Sequence, residues 1–180
     1  MAGHLPHRID QPDFRGSGDA VLEIGAELAR RIEEGDTNGS TILLMVHGLQ
    51  RFRILRRAED DFGFSTDEGP PTPDRVFGEI LREGPEHGIH TLVWADTVST
   101  LERSVDRQTM RAFDQRAMFQ VGATDSSTLI DSPAASMLGA NRGLLYSDER
   151  GTIEKFRPWA LPSEAYLVAA GRAMESRSAR

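Results

Sequence analysis

Two stretches decide how this chain is read: GIHTLVWADT, residues 88–97, and FDQRAMFQVGATDSSTLIDSPAASMLGANRGLLY, residues 113–146. In the first, the apolar run from His90 to Ala95 sits between Gly88 and Asp96, the pattern of a short buried strand bounded by turn residues. Ser99-Thr100-Leu101-Glu102 then has the spacing of a capping box, and the helix it opens would turn Leu101, Val105 and Phe113 toward a core. In the second, Arg116 to Gly122 reads as a returning strand and Ser132 to Leu138 as a short helix beginning near Pro133. Arg142 to Ser147 and Thr152 to Phe156 flank the turn 148–151 and predict a terminal β-hairpin.

Working outward, residues 1–18 mix prolines and glycines with polar residues and read as a flexible lead-in. Asp19 to Glu34 places Val21, Leu22, Leu28 and Ile32 near helical spacing, with Asp19 able to cap the start and Gly35 the end. Thr41 to Val46 is a short apolar run of the kind found in central parallel strands. A short helix is expected over Leu49 to Ala58, and a polar loop over 59–71. Thr72 and Pro73 open a further helix whose stripe Val76, Phe77, Ile80 and Leu81 stops at Gly84. Ala165 to Met174 predicts a last helix, and residues 175–180 a fraying tail. Alternating helices and strands predict a three-layer α/β fold with a mainly parallel sheet, organised as lead-in 1–18, domain 19–162 and C-terminal helix and tail 163–180.

The order of these motifs resembles the later part of the FtsK/SpoIIIE/HerA family of RecA-like DNA-translocase ATPases over roughly residues 40 to 160. The resemblance rests on Gly88-Ile89-His90 opening a strand that ends in polar residues and on the arginine-led strand from Arg116. It continues through Asp125-Ser126 to Ile130-Asp131, Leu138-Gly139 and Leu144-Leu145-Tyr146. It implies a P-loop NTPase type of sheet, ATP and Mg²⁺ as cofactors of the complete protein, a ring-forming homo-oligomer, and double-stranded DNA as partner. It also implies that His47 and Gly48, after the first strand, and Asp96 and Thr97, after the second, lie where nucleotide is bound and sensed. Arg116 would match an arginine able to face a neighbouring subunit's phosphate, with an ion pair to Asp114 or Asp125 as the alternative.

The departures from that pattern are specific. A P-loop needs glycines whose amides face the phosphates and a lysine that reaches them. The single lysine, Lys155, has no such glycines before it. Where the family's first strand ends in a magnesium-holding aspartate and a water-activating glutamate, this chain has His47 and Gly48, neither of which carries a carboxylate. No catalytic residue is therefore assigned. The expected identity is a piece of a longer motor that does not hydrolyse ATP alone. The alternatives are a non-catalytic RecA-like protein-interaction module and an unrelated α/β enzyme pairing His47 with Asp96.

Composition narrows the remaining classes. The chain has 180 residues, 38% hydrophobic and 27% charged, a length that suits one domain with a sizeable core. A net charge of −7, with only the loose cluster Arg51, Arg53, Arg56 and Arg57, argues against tight DNA binding by this chain alone. No apolar run approaches the ~20 residues of a membrane span, and MAGHLPHRID lacks a secretory core, so a cytoplasmic protein is expected. Zero cysteines exclude thiol chemistry. His87-x-x-His90 lacks the glutamate and helical frame of a zinc motif, so no metal site is assigned. Asp125-Ser126-Ser127 lacks a nucleophile elbow, and Asp125 reads as a helix cap. Trp94, Trp159, Phe77 and Phe113 read as core or interface residues.

Overall fold

The computed structural model describes residues 5–57 and 70–178, in two units: 12–156, and a second made of the described residues up to 11 together with 157–178. The expected loop 59–71 falls almost wholly outside the described residues. In the larger unit, helix α1 (Ser17–Glu34) leads to strand β1 (Ile42–His47), two 3-10 turns, helix α2 (Pro73–Glu83) and strand β2 (Ile89–Trp94). Helices α3 (Val98–Ser104) and α4 (Arg107–Met110) follow, then strand β3 (Gln115–Met118), helix α5 (Ala123–Ile130) and a 3-10 turn at Pro133–Met137. Strands β4 (Gly143–Ser147) and β5 (Thr152–Phe156) close this unit, and helix α6 (Glu164–Ser178) belongs to the other.

The first half is a βαβ unit. β1 and β2 pair in parallel from Ile42 opposite Ile89 to His47 opposite Trp94. Parallel strands need a crossover, and α2 supplies it. Thr72 is extended, Pro73 takes the first helical position where a missing N–H costs nothing, and Val76, Phe77, Ile80 and Leu81 are buried as their spacing predicts. α1 packs beside α2 and ends at left-handed Gly35, whose N–H reaches Ile32 while that of Asp36 reaches Arg31. Both helices cover the face formed by Ile42, Leu44, Val46, Ile89 and Val93, and Leu101, Val105 and Phe113 join that core as expected.

The second half has a separate core of Met118, Ile130, Ala135, Leu138 and Leu144 beneath the antiparallel sheet β3-β4-β5. The hairpin β4–β5 forms where the turn signals put it. The sheet is not mainly parallel: among the described residues one ladder is parallel and two are antiparallel. The short connection from β4 to β5 permits only antiparallel return, since a parallel pair needs a crossover of a dozen or more residues. Helices cover one face of β1–β2, so a three-layer arrangement is not completed there by the described residues.

Several boundaries differ for local reasons. The helix expected from Ser99 to Phe113 breaks at extended Val105, whose side chain is drawn into the core, and restarts with Asp106 capping α4 through the Thr109 N–H at 2.7 Å. Thr97, not Ser99, caps α3. Asp125 is not a cap: α5 starts two residues earlier at Ala123, placing Asp125 inside the first turn, where its charge suits the helix dipole. In place of the one helix expected over Leu49 to Ala58, the described residues of that stretch form two 3-10 turns, at Leu49–Arg51 and Arg53–Leu55, because burial of Leu49 and Leu55 decides the path. α1 begins at Ser17, preceded by a turn in which the Asp13 carboxylate accepts the N–H groups of Arg15 and Gly16.

Candidate functional site

The four residues assigned to nucleotide contact come together at the carboxyl ends of β1 and β2, the position at which open α/β sheets bind ligands. His47 ends β1 opposite Trp94, and its imidazole stacks on the indole with 4.9 Å between centroids and 12° between planes. Gly48 follows at φ 81°, a left-handed conformation that a side chain would strain, and its N–H closes on the Trp94 carbonyl at 3.1 Å. Asp96 and Thr97 lie just beyond β2. One Asp96 carboxylate oxygen accepts the Thr100 hydroxyl at 2.8 Å, while the Thr97 hydroxyl oxygen accepts the Thr100 N–H at 3.2 Å. Each thus lends one oxygen to the start of α3, a helix of under two full turns. No hydrogen bond joins His47 to Asp96 among the described residues, so an acid/base pair is not assembled.

The larger feature of this region is the sheet face itself. Alternation along the strands puts Ile42, Leu44, Val46, Ile89, Thr91 and Val93 inward. It puts Leu43, Met45 and His47 of β1, with His90, Leu92 and Trp94 of β2, on the opposite face, where all six are exposed. Leu43, Met45, Leu92 and Trp94 keep 57, 64, 55 and 47% of their surface in solvent. Trp94 is therefore not a core residue in this fold, and Trp159, in the other unit, is more exposed still. A purely parallel pair is ordinarily covered on both faces, and its strands read as continuous apolar runs for that reason. The sequence 42–46 has such a run, yet only Ile42, Leu44 and Val46 of it face inward.

Other candidates resolve into structural roles. Arg116 donates to the carbonyls of Phe113, Leu129 and Met110 at 3.1, 2.6 and 3.4 Å, and its guanidinium lies 5.5 Å from the centre of the Tyr146 ring. Its nearest carboxylate is Asp148 at 4.0 Å, so neither Asp114 nor Asp125 is its partner. Ser126 is fully buried, donates to the Ser132 carbonyl at 2.5 Å and accepts from the Ala135 N–H, which excludes a nucleophile exposed to substrate. His87 bonds the Asp36 carbonyl at 3.1 Å while His90 lies on the open sheet face, and among the described residues no metal-binding cluster is present. A cleft of about 250 Å³ beside α2 and α4 balances Arg57, Arg75 and Arg82 against Asp74, Glu79 and Asp106 and includes none of the four predicted residues.

Arg31 is the residue that sequence reasoning missed. Its guanidinium is buried, donating to Glu27 at 2.7 Å, the His87 carbonyl at 2.7 Å and the Ser40 carbonyl at 2.9 Å. It thereby ties α1 to the segments that enter β1 and β2. The available signal was the Glu27–Arg31 spacing of four, which on its own reads as an exposed helical ion pair. Arg30 and then Arg31 hold the Glu27 carboxyl down at about 2 through their hydrogen bonds. The Glu149 N–H holds Asp114 below the usual carboxylate range in the same way, pinning the β4–β5 turn to the start of β3.

No protein-family model matches this chain, and no curated protein matches it at a significant level. Among the described residues, no helix is long and apolar enough to cross a membrane.

Proposed function

We propose that this chain is a non-catalytic α/β interaction module that acts by holding a partner against the open face of β1–β2. The observation that carries this reading is the exposure of Leu43, Met45, Leu92 and Trp94 on a parallel pair whose other face packs against α1 and α2. Exposed apolar patches of this kind mark interaction surfaces in soluble proteins. The strand ends support the same reading. No carboxylate follows β1, and that of Asp96 accepts hydroxyls at the start of α3.

A second reading follows from the meeting of His47 and Gly48 with Asp96 and Thr97 at the carboxyl ends of parallel strands. In it the chain is the later half of an FtsK/SpoIIIE-like ATP-binding DNA translocase of the cytoplasm. The P-loop, the Mg²⁺ contacts and the surface for double-stranded DNA would come from polypeptide outside residues 1–180, in a ring-forming homo-oligomer, with His47, Gly48, Asp96 and Thr97 of this chain facing the nucleotide. That polypeptide would also complete a three-layer RecA-like sheet. Calorimetric titration of ATP with Mg²⁺ separates the two readings when this chain is compared with a protein extended through an upstream P-loop. Binding by the extended protein alone favours the motor. Binding by neither leaves the interaction module, and micromolar binding by the 180-residue chain would overturn the non-catalytic reading.

A further inference from the structure

We infer that the occupant of the open β1–β2 face is a second copy of this chain, so that two sheets pack face to face with their helices outermost. The inference rests on the interaction-module reading and names its partner.

Two properties of the face point to self-association. The first is area. At roughly 200 Å² per large side chain, the exposed fractions of Leu43, Met45, Leu92 and Trp94 leave about 450 Å² of apolar surface on each copy. With the exposed His47 and His90 added, full burial of this face on two copies comes to at most on the order of 1,200 Å², the lower end of what stable, specific interfaces bury.

The second property is self-complementarity. The register arranges the face in three cross-strand rows: Leu43 with His90, Met45 with Leu92, and His47 with Trp94. A two-fold axis through the middle row, perpendicular to the strands, sets Met45 and Leu92 against the same pair of the second copy. It also lays the smaller Leu43–His90 row of each copy over the bulkier His47–Trp94 stack of the other. That is the isologous relation of a closed two-fold dimer, in which residue i meets j and j meets i. Sheets packed in this way sit about 10 Å apart, a gap that interdigitated side chains of this size fill.

The test is the mass of the full chain in solution, by sedimentation equilibrium or light scattering, for wild type and for Met45→Glu and Leu92→Lys. Both substitutions fall on exposed positions, and circular dichroism melts confirm that the variants fold. The expected result is a wild-type dimer of twice the 19.9 kDa chain mass, with each variant weakening association by about 100-fold or more. A wild type that stays monomeric to ~100 µM would overturn the proposal. A dimer untouched by both substitutions would overturn it as well. Binding of the apolar dye ANS separates the two layers of argument. A monomer whose dye binding is lost in Met45→Glu removes the second copy as occupant yet keeps the open face, whereas a monomer with no dye binding removes both.

Discussion

His47 and Trp94 stack ring on ring across the parallel register of β1 and β2, on a face that no other element of the βαβ unit covers. The pair is held by strand geometry alone, because residues opposite each other in adjacent strands bring their side chains into contact. With about half of its surface covered and its ring stacked on His47, Trp94→Ala is expected to cost ~1–2 kcal/mol. Phe77→Ala, on the packed side, should cost ~3–5 kcal/mol. Urea denaturation of the two variants under conditions that keep the chain monomeric measures both, and equal losses would mean that the outer face is packed after all.

Arg31 is expected to be the most sensitive charged residue of α1. Arg31→Met keeps the apolar stem but strands the Ser40 and His87 carbonyls and breaks the pair with Glu27, a loss of ~3 kcal/mol. Arg30→Met, on the exposed side of the same helix, should lose far less, because water screens its ion pairs. Chemical denaturation of both variants checks the difference.

Glu27 gives a pH signature with a definite sign. Its folded pKa is about 2, below the ordinary 4.5, because Arg30 first and Arg31 second stabilise the carboxylate. The stability it contributes is therefore complete above the unfolded pKa and is lost as pH falls from there through the folded value. Melting temperatures of wild type and Glu27→Gln should differ most above about pH 5 and converge near pH 2. A gap that stays constant over that range would show that the ion pairs do not couple to folding.

Gly25 lies in the middle of α1, where alanine would ordinarily add up to ~1 kcal/mol of helix stability. Here a Cβ would fall inside the van der Waals envelope of Val76 Cγ1 on α2. Gly25→Ala is expected to destabilise by ~1–3 kcal/mol, and pairing it with Val76→Ala should recover part of that loss. A double-mutant cycle reads the coupling. Additive effects would mean that the helices do not approach as closely as this.

Thr91 faces inward on β2 with a buried hydroxyl oxygen that has no hydrogen-bond partner among the described residues. Replacing it with valine keeps the shape and removes the unpaired polar group, so Thr91→Val should gain ~1 kcal/mol in thermal or urea unfolding. A loss of that size would place an unseen acceptor or donor at this position.

Local signals carried a good part of the structure. The stripe Val76, Phe77, Ile80 and Leu81 fixed α2 and its buried face, because helical periodicity is a property of neighbouring residues. Gly35 fixed the end of α1, and the turn after Ser147 fixed the β4–β5 hairpin, because each depends on backbone conformations only a few residue types favour. The sequence also placed His47, Gly48, Asp96 and Thr97 just after two strands, and two adjacent parallel strands necessarily bring such residues to one end of a sheet.

Tertiary structure decided the rest, where the energy belongs to groups distant in the chain. Whether Trp94 is core or surface depends on whether anything covers its face of β1–β2, and alternation along a strand assigns a face without saying what lies on it. The pattern Glu27–Arg31 looked like a surface ion pair, and burial at the junction of α1, Ser40 and His87 made it a tie across the fold. Asp96 and Thr97 had the composition of sensor residues, and the path of the chain into α3 brought one oxygen of each to Thr100. Periodicity and turn chemistry are local and so legible in sequence, whereas coverage of a face and the final partner of a polar atom are set by long-range packing.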